Sequence, residues 1–150
     1  VAKAAHAQSI INVDMSRSAI RQGRENHYRN GMTGEGVVFT CANILKSWGK
    51  INRLGPYDIV IIDPPSHQPG SFIVHKDLAR VIRRIPEWLM PGGDILLSIN
   101  SPKLTPSAID SMVREQCSGC QLVSRLDPHP DFPDINPDRQ LKLFHYRYLP

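Results

Sequence analysis

At 150 residues the chain is about one domain's worth of polypeptide, long enough to bury a real core. A net charge of +4 and a pI near 9.2 give a mild basic bias, compatible with an anionic partner but far from a polybasic tail. Three cysteines do not make a disulfide framework, and no run reads as a membrane span or signal peptide, so the expected setting is a reduced cytoplasm.

In chain order, residues 9–13 (SIINV) predict a short strand ending at Asp14. Ser16 is placed to cap a helix running to about Asn30, where Gly31 stops it. Val37–Cys41 (VVFTC) predicts the next strand, and residues 44–53 a helix ended by Gly55 and Pro56. Tyr57 then opens a strand in which Ile59, Val60, Ile61 and Ile62 show no polar alternation, as expected where both faces of a parallel sheet are covered. A helix from about Lys76 places Leu78, Ile82, Ile85 and Leu89 on one stripe, and Pro86 should kink or split it.

Pro91-Gly92-Gly93 is expected to turn into a strand over residues 94–99. Thr105 caps, and Pro106 opens, a helix to Cys117. CSGC at residues 117–120 is a lone CxxC without a second pair or nearby histidines. It reads as a helix end with Gly119 as cap and thiols packed inward, and no metal is expected. Strands over 121–126 and 141–148 finish the chain, separated by a loop, DPHPDFPDINPDRQ, with four prolines and four aspartates. Without repeats or a linker, the pattern predicts one α/β domain.

The chemistry concentrates where strands end, since parallel sheets bind ligands beyond their carboxyl ends. Asp63 closes the Tyr57 strand; Pro64 and Pro65 follow, fixing φ and contributing no N–H. An acid beside rigid carbonyls is an acceptor-only cluster suited to an amine or amide donor, although Asp-Pro also opens ordinary loops. Asp14 suits ribose hydroxyls or a helix cap, and Asn43 suits an adenine amino group or a helix cap. Because Asp14, Asn43 and Asp63 each follow a successive strand, one sheet edge is expected to carry all three.

VDMSRSAIRQGRENHYRNG, ANILKSWGKINRLGPYDIVIIDPPS and MPGGDILLSINSP together resemble a class I S-adenosylmethionine-dependent methyltransferase, and most closely the group of bacterial large-subunit ribosomal RNA methyltransferases. The resemblance covers essentially the whole chain. It implies a Rossmann-like α/β fold, mostly parallel, with an antiparallel carboxyl-terminal strand, here in LKLFHYRYL. It implies S-adenosylmethionine as cofactor, held by Asp14, Met15, Ala42, Asn43, Ile44 and Asp63. Asp63, Pro64 and Pro65 would lie where methyl donor and acceptor meet, with Ser66, His67, Phe72 and Asn100 toward the substrate. The family position of Asn43 is often an aspartate, and amine-modifying relatives carry an aromatic where Ser66 stands; His67 or Phe72 would have to supply a stacking face.

No cysteine stands near the loops at Asp63 or Asn100, which disfavours covalent chemistry at a base carbon unless Cys41 reaches the site. The expected reaction is direct methyl transfer to a base nitrogen of RNA, with Asp63 and the Pro64 carbonyl orienting the acceptor and Lys76, Arg80, Arg83 and Arg84 near phosphates or simply on a solvated helix face. A nicotinamide-dependent oxidoreductase, a binding or assembly domain without activity, and a methyltransferase with a protein acceptor are the alternatives. No glycine-rich turn precedes Asp14, and the first glycine is Gly23. The expectation is therefore a carboxyl-terminal part of a methyltransferase domain whose first strand is missing. Its open strand edges would weaken cofactor binding and lead to a homodimer or aggregation.

Overall fold

The computed structural model describes residues 2–32, 36–127, 131, 136 and 140–150. Two units divide the chain, Val1–Leu54 and Gly55–Pro150, each with its own sheet.

In the first unit, β1 (Ile10–Asp14) and β2 (Val37–Cys41) run parallel, with Asp14 opposite Cys41, and α1 (Arg17–Arg29) connects them. The Ser16 side chain accepts from the Ala19 N–H at 3.2 Å and starts α1. Gly31, at φ +64°, ends it: the Gly31 N–H reaches the Tyr28 carbonyl at 3.0 Å and the Met32 N–H the His27 carbonyl at 2.9 Å. This pair of bonds closes a helix on a left-handed glycine. Gly23 faces Phe39, where a Cβ would lie 2.8 Å from the ring, so a side chain at Gly23 would crowd α1 against β2. The helix predicted over 44–53 is interrupted. A 3-10 turn (Ile44–Lys46) precedes α2 (Trp48–Asn52), because Ser47 leaves helical geometry at φ −126°.

The second unit contains β3 (Tyr57–Ile62), β4 (His67–Gln68), β5 (Phe72–Ile73), α3 (Val74–Ile82), α4 (Ile85–Trp88), β6 (Leu89–Ile99), α5 (Pro106–Gln116), β7 (Cys120–Leu126) and β8 (Lys142–Tyr148). Its main sheet has the order β3-β6-β8-β7. β3 is parallel to β6, while β8 is antiparallel to β6 and β7, giving the reversed last strand that the resemblance implies. Antiparallel pairing puts Ile95, Leu97 and Ile99 opposite Tyr146, Phe144 and Lys142, all fully buried. Leu78, Ile82, Ile85, Ile109 and Val113 from the helices are buried in this unit as well. Each such aliphatic side chain contributes about 1.5–3 kcal/mol on burial.

The other face is different. Ile59 and Ile61, beside Asp94 and Leu96, are 62% and 64% exposed, so the run 59–62 is covered on one face rather than two. Among the described residues β1 and β3 each have one strand partner.

Other boundaries also move. Pro86 splits the predicted helix, and Leu89 goes to β6. α3 begins at Val74 because Asp77 reaches back to accept from the Ile73 N–H at 2.9 Å. Pro91-Gly92-Gly93 lies inside β6, where Gly92 at φ +84° and a register shift opposite Tyr57 and Ile59 absorb the extra residues. Gly119 is not the cap of α5; Cys117 is, and Gly119 serves close packing, since a Cβ there would lie 2.9 Å from the Tyr148 ring. Most of the expected loop at 127–140 falls outside the described residues. Among those described, no helix is long and apolar enough to cross a membrane.

Candidate active site

The first unit presents one candidate edge. Parallel pairing in register brings the ends of β1 and β2 side by side, with the Ala42 N–H bonded to the Asp14 carbonyl at 2.9 Å. Asp14 is exposed, and its Oδ1 accepts from the Ser16 N–H at 2.6 Å. One oxygen of Asp14 thus organises the entry to α1 ahead of its N-cap, Ser16, and the carboxylate remains at the surface. Asn43 uses its Oδ1 to accept from the Leu45 N–H at 2.9 Å and so caps the 3-10 turn. Its amide oxygen has a second lone pair but is already engaged. Met15 is 39% exposed, and its carbonyl accepts from the Cys41 thiol at 3.4 Å. Cys41 therefore stays in its strand.

The second unit presents the other edge. Ile62 pairs with Leu97, which sets Asp63 beside Ser98. The Ser98 hydroxyl donates to Asp63 Oδ1 at 2.8 Å. Ser66 donates its hydroxyl to the Asn100 carbonyl, joining the proline loop to the segment after β6. Asp63, Pro65, Ser66, His67 and Asn100 are exposed at this edge, and Pro64 is half-buried. A small hairpin of β4 and β5, unanticipated from residue pattern, follows the prolines, with His67 opposite Ile73 and Gln68 opposite Phe72. Phe72 is 5% exposed and belongs to the core, so it offers no free ring face, and of the two rings His67 is the exposed one.

The basic residues on and after α3 are largely engaged. Arg80 pairs with Asp77 at 2.9 Å, Arg84 with Glu87 at 2.6 Å, and Arg83 donates to Gln116 at 2.6 and 3.0 Å. Arg83 and Arg84 also follow the far end of α3, about 13 Å from its start at 1.5 Å per residue. A solvated face explains them better than phosphate binding does.

Cys117 and Cys120 are buried near the opposite end of the sheet, where Cys120 pairs with Tyr148. Their mutual hydrogen bond lowers the Cys117 thiol from its ordinary value and, ahead of burial, raises that of Cys120. A cavity of about 410 Å³ lies at that end, lined by Pro86, Gln116, Cys117 and Tyr148 among others, away from Asp63.

Two residues given no role at the sequence level complete the second edge. Ser98 orients Asp63. Lys142 is fully buried and donates from Nζ to the Ser101 carbonyl at 2.8 Å. The signal for Lys142 was available: in KLFHYRY its position alternates with Phe144 and Tyr146, the inward positions of β8.

A family profile described as S-adenosylmethionine-dependent methyltransferase matches residues 1–147. The chain belongs to this family. It is similar to the ribosomal RNA large subunit methyltransferase K/L of Shewanella frigidimarina, with 31% identity over 102 residues, covering 65% of this chain and 14% of that protein. Among solved structures, a Streptococcus mutans protein assigned as a SAM-dependent methyltransferase aligns over 94% of this chain and 39% of its own, with 22% identity and a TM-score of 0.83. The N-methyltransferase NodS of Bradyrhizobium japonicum, in complex with S-adenosylhomocysteine, aligns over 97% of this chain and 69% of its own, with 13% identity and a TM-score of 0.70. The fold is therefore the Rossmann-like methyltransferase α/β fold, with a mixed sheet.

The residues of the first unit fit the family's cofactor in chemistry. The exposed Asp14 carboxylate is an acceptor that would suit ribose hydroxyls, and Met15, Ala42, Asn43 and Ile44 beside it would offer apolar and main-chain surface to an adenine ring.

Proposed function

We propose that this methyltransferase methylates RNA, in keeping with its ribosomal RNA methyltransferase relatives, and that the acceptor is a base nitrogen. The observation that carries this reading is the acceptor cluster after β3: an exposed Asp63 carboxylate oriented by Ser98 and followed by Pro64 and Pro65. Such a cluster holds an N–H donor in place and brings no thiol to attack a base carbon. The bound cofactor supplies an electrophilic methyl group on a sulfonium. Asp63 and the Pro64 carbonyl orient the acceptor, Asn100 holds a second base edge, and His67 supplies a stacking face. A base in a helix would have to be unstacked to reach this loop. Catalysis of this kind rests on positioning, for which well-oriented geometry is worth about 7–11 kcal/mol.

Cysteine placement supports nitrogen over carbon as acceptor. Cys117 and Cys120 are buried at the other end of the second unit's sheet, and the Cys41 thiol is bonded to the Met15 carbonyl. The setting is a reduced cytoplasm, and the exposed Ile59 and Ile61 offer a surface through which two copies associate. The test is transfer of labelled methyl from S-adenosylmethionine to ribosomal RNA and to a protein extract in parallel. Label in RNA supports the proposal. Label in protein alone points to a protein acceptor, and RNA binding without label to a binding domain.

A further inference from the structure

We propose that Lys142 is a positioning residue that fixes the segment after β6 and so holds Asn100 toward the acceptor; this rests on the methyltransferase reading above. The segment 98–101 is tied at successive points. The Ser98 hydroxyl binds Asp63, the Asn100 carbonyl accepts from Ser66, and the Ser101 carbonyl accepts from Lys142 at 2.8 Å. The Asn100 and Ser101 carbonyls belong to the two consecutive planar peptides that flank the Ser101 Cα, so holding both fixes the backbone of Ser101, directly after the exposed Asn100. Lys142 lies opposite Ile99, the last residue of β6, so its ammonium meets the chain where regular pairing ends.

The choice of residue is informative. Lys142, Phe144 and Tyr146 are 0%, 2% and 1% exposed along one face of β8, and an apolar side chain would fill the first position without burying a charge. Burying an ammonium is unfavourable unless fixed acceptors compensate it. Here an acceptor that it reaches, the Ser101 carbonyl, belongs to the loop beside Asp63 and Ser66, which couples the core of the sheet to the candidate site.

The test compares wild type with Lys142→Met and Lys142→Arg. Hydrogen exchange is followed at the amides of Asn100, Ser101, Lys103 and Leu104 and at those of β6, β8 and α5, alongside steady-state methyl transfer. In Lys142→Met the loop amides should exchange about 10-fold faster or more while the strand amides hold, and kcat/KM for RNA should fall about 10- to 100-fold, the range for a displaced positioning group. Lys142→Arg, which keeps a donor, should recover part of both. Unchanged loop exchange in a folded Lys142→Met protein overturns the proposal. So does uniform acceleration across β6, β8 and α5 in both variants, which would make Lys142 a general core residue. A loop-confined change in Lys142→Met beside a wild type that transfers no methyl to RNA would sink the RNA reading while leaving the tethering role of Lys142 supported.

Discussion

The Ser98 hydroxyl donates to Asp63 Oδ1 at 2.8 Å between the carboxyl ends of the parallel pair β3 and β6, Asp63 directly after β3 and Ser98 next to the last residue of β6. The hydrogen bond fixes one oxygen of an exposed carboxylate and leaves the group able to receive a donor. Asp63→Ala should lower methyl transfer at least about 100-fold while the melting temperature stays close to wild type, because Asp63 lies outside the core. Ser98→Ala should cost about 10-fold, on the scale of one hydrogen bond to a charged group. Steady-state kinetics beside thermal melts check both, and near-normal turnover by Asp63→Ala would remove the assignment.

The exposed face of β3 bears on self-association. Ile59 and Ile61 are more than 60% exposed, and the strand has one partner among the described residues. Exposed apolar surface beside an open strand edge favours contact with another chain. Sedimentation velocity should show concentration-dependent association. Ile59→Lys with Ile61→Lys should shift it toward monomer with no loss of stability above about 1 kcal/mol, surface changes being small. A wild type that stays monomeric at high concentration would contradict the expectation.

Acid should weaken the fold through two carboxylates. Hydrogen bonds from Arg147 and then from His145 hold the Asp94 carboxyl below its ordinary value. The Ile73 N–H, followed by Arg80, does the same for Asp77. Groups depressed in the folded state stabilise it above their unfolded pKa, about 3.9 for Asp, and lose that contribution as pH falls through and below this value. Melting temperature against pH should therefore drop on the acid side. Asp94→Asn and Asp77→Asn should flatten the drop, and unchanged curves would discount both residues.

Nucleophilic cysteine chemistry is testable separately. Replacing Cys41, Cys117 and Cys120 with Ala should leave turnover within a few-fold once stability is corrected, with the larger stability cost from the buried pair. A trapped protein–RNA adduct in wild type that is lost in one cysteine variant would overturn the nitrogen acceptor.

Much of this was legible in the sequence because local chemistry and tertiary structure agree. Ser16, Gly31, Thr105 and Pro86 mark helix boundaries by their own backbone and side-chain preferences. The β-branched run at 59–62 and the alternation in KLFHYRY mark strands. What could not be read depended on neighbours distant in sequence. The extension of β6 through Pro91-Gly92-Gly93 is set by pairing with β3, and the burial of Phe72 by a two-residue hairpin too short to leave a periodic signal. Asp63 was visible because it ends a strand. Ser98 and Lys142 needed the register, which puts one beside Asp63 and the other opposite Ile99.

The central claim is methyl transfer to a base nitrogen of RNA through Asp63. Its most direct test is nucleoside mass spectrometry of ribosomal RNA from a deletion strain, after incubation with isotope-labelled S-adenosylmethionine and either wild type or Asp63→Ala. The account predicts a labelled N-methylated nucleoside with wild type and at least about 100-fold less with the variant. A labelled nucleoside methylated at carbon, or equal labelling by Asp63→Ala, would contradict it.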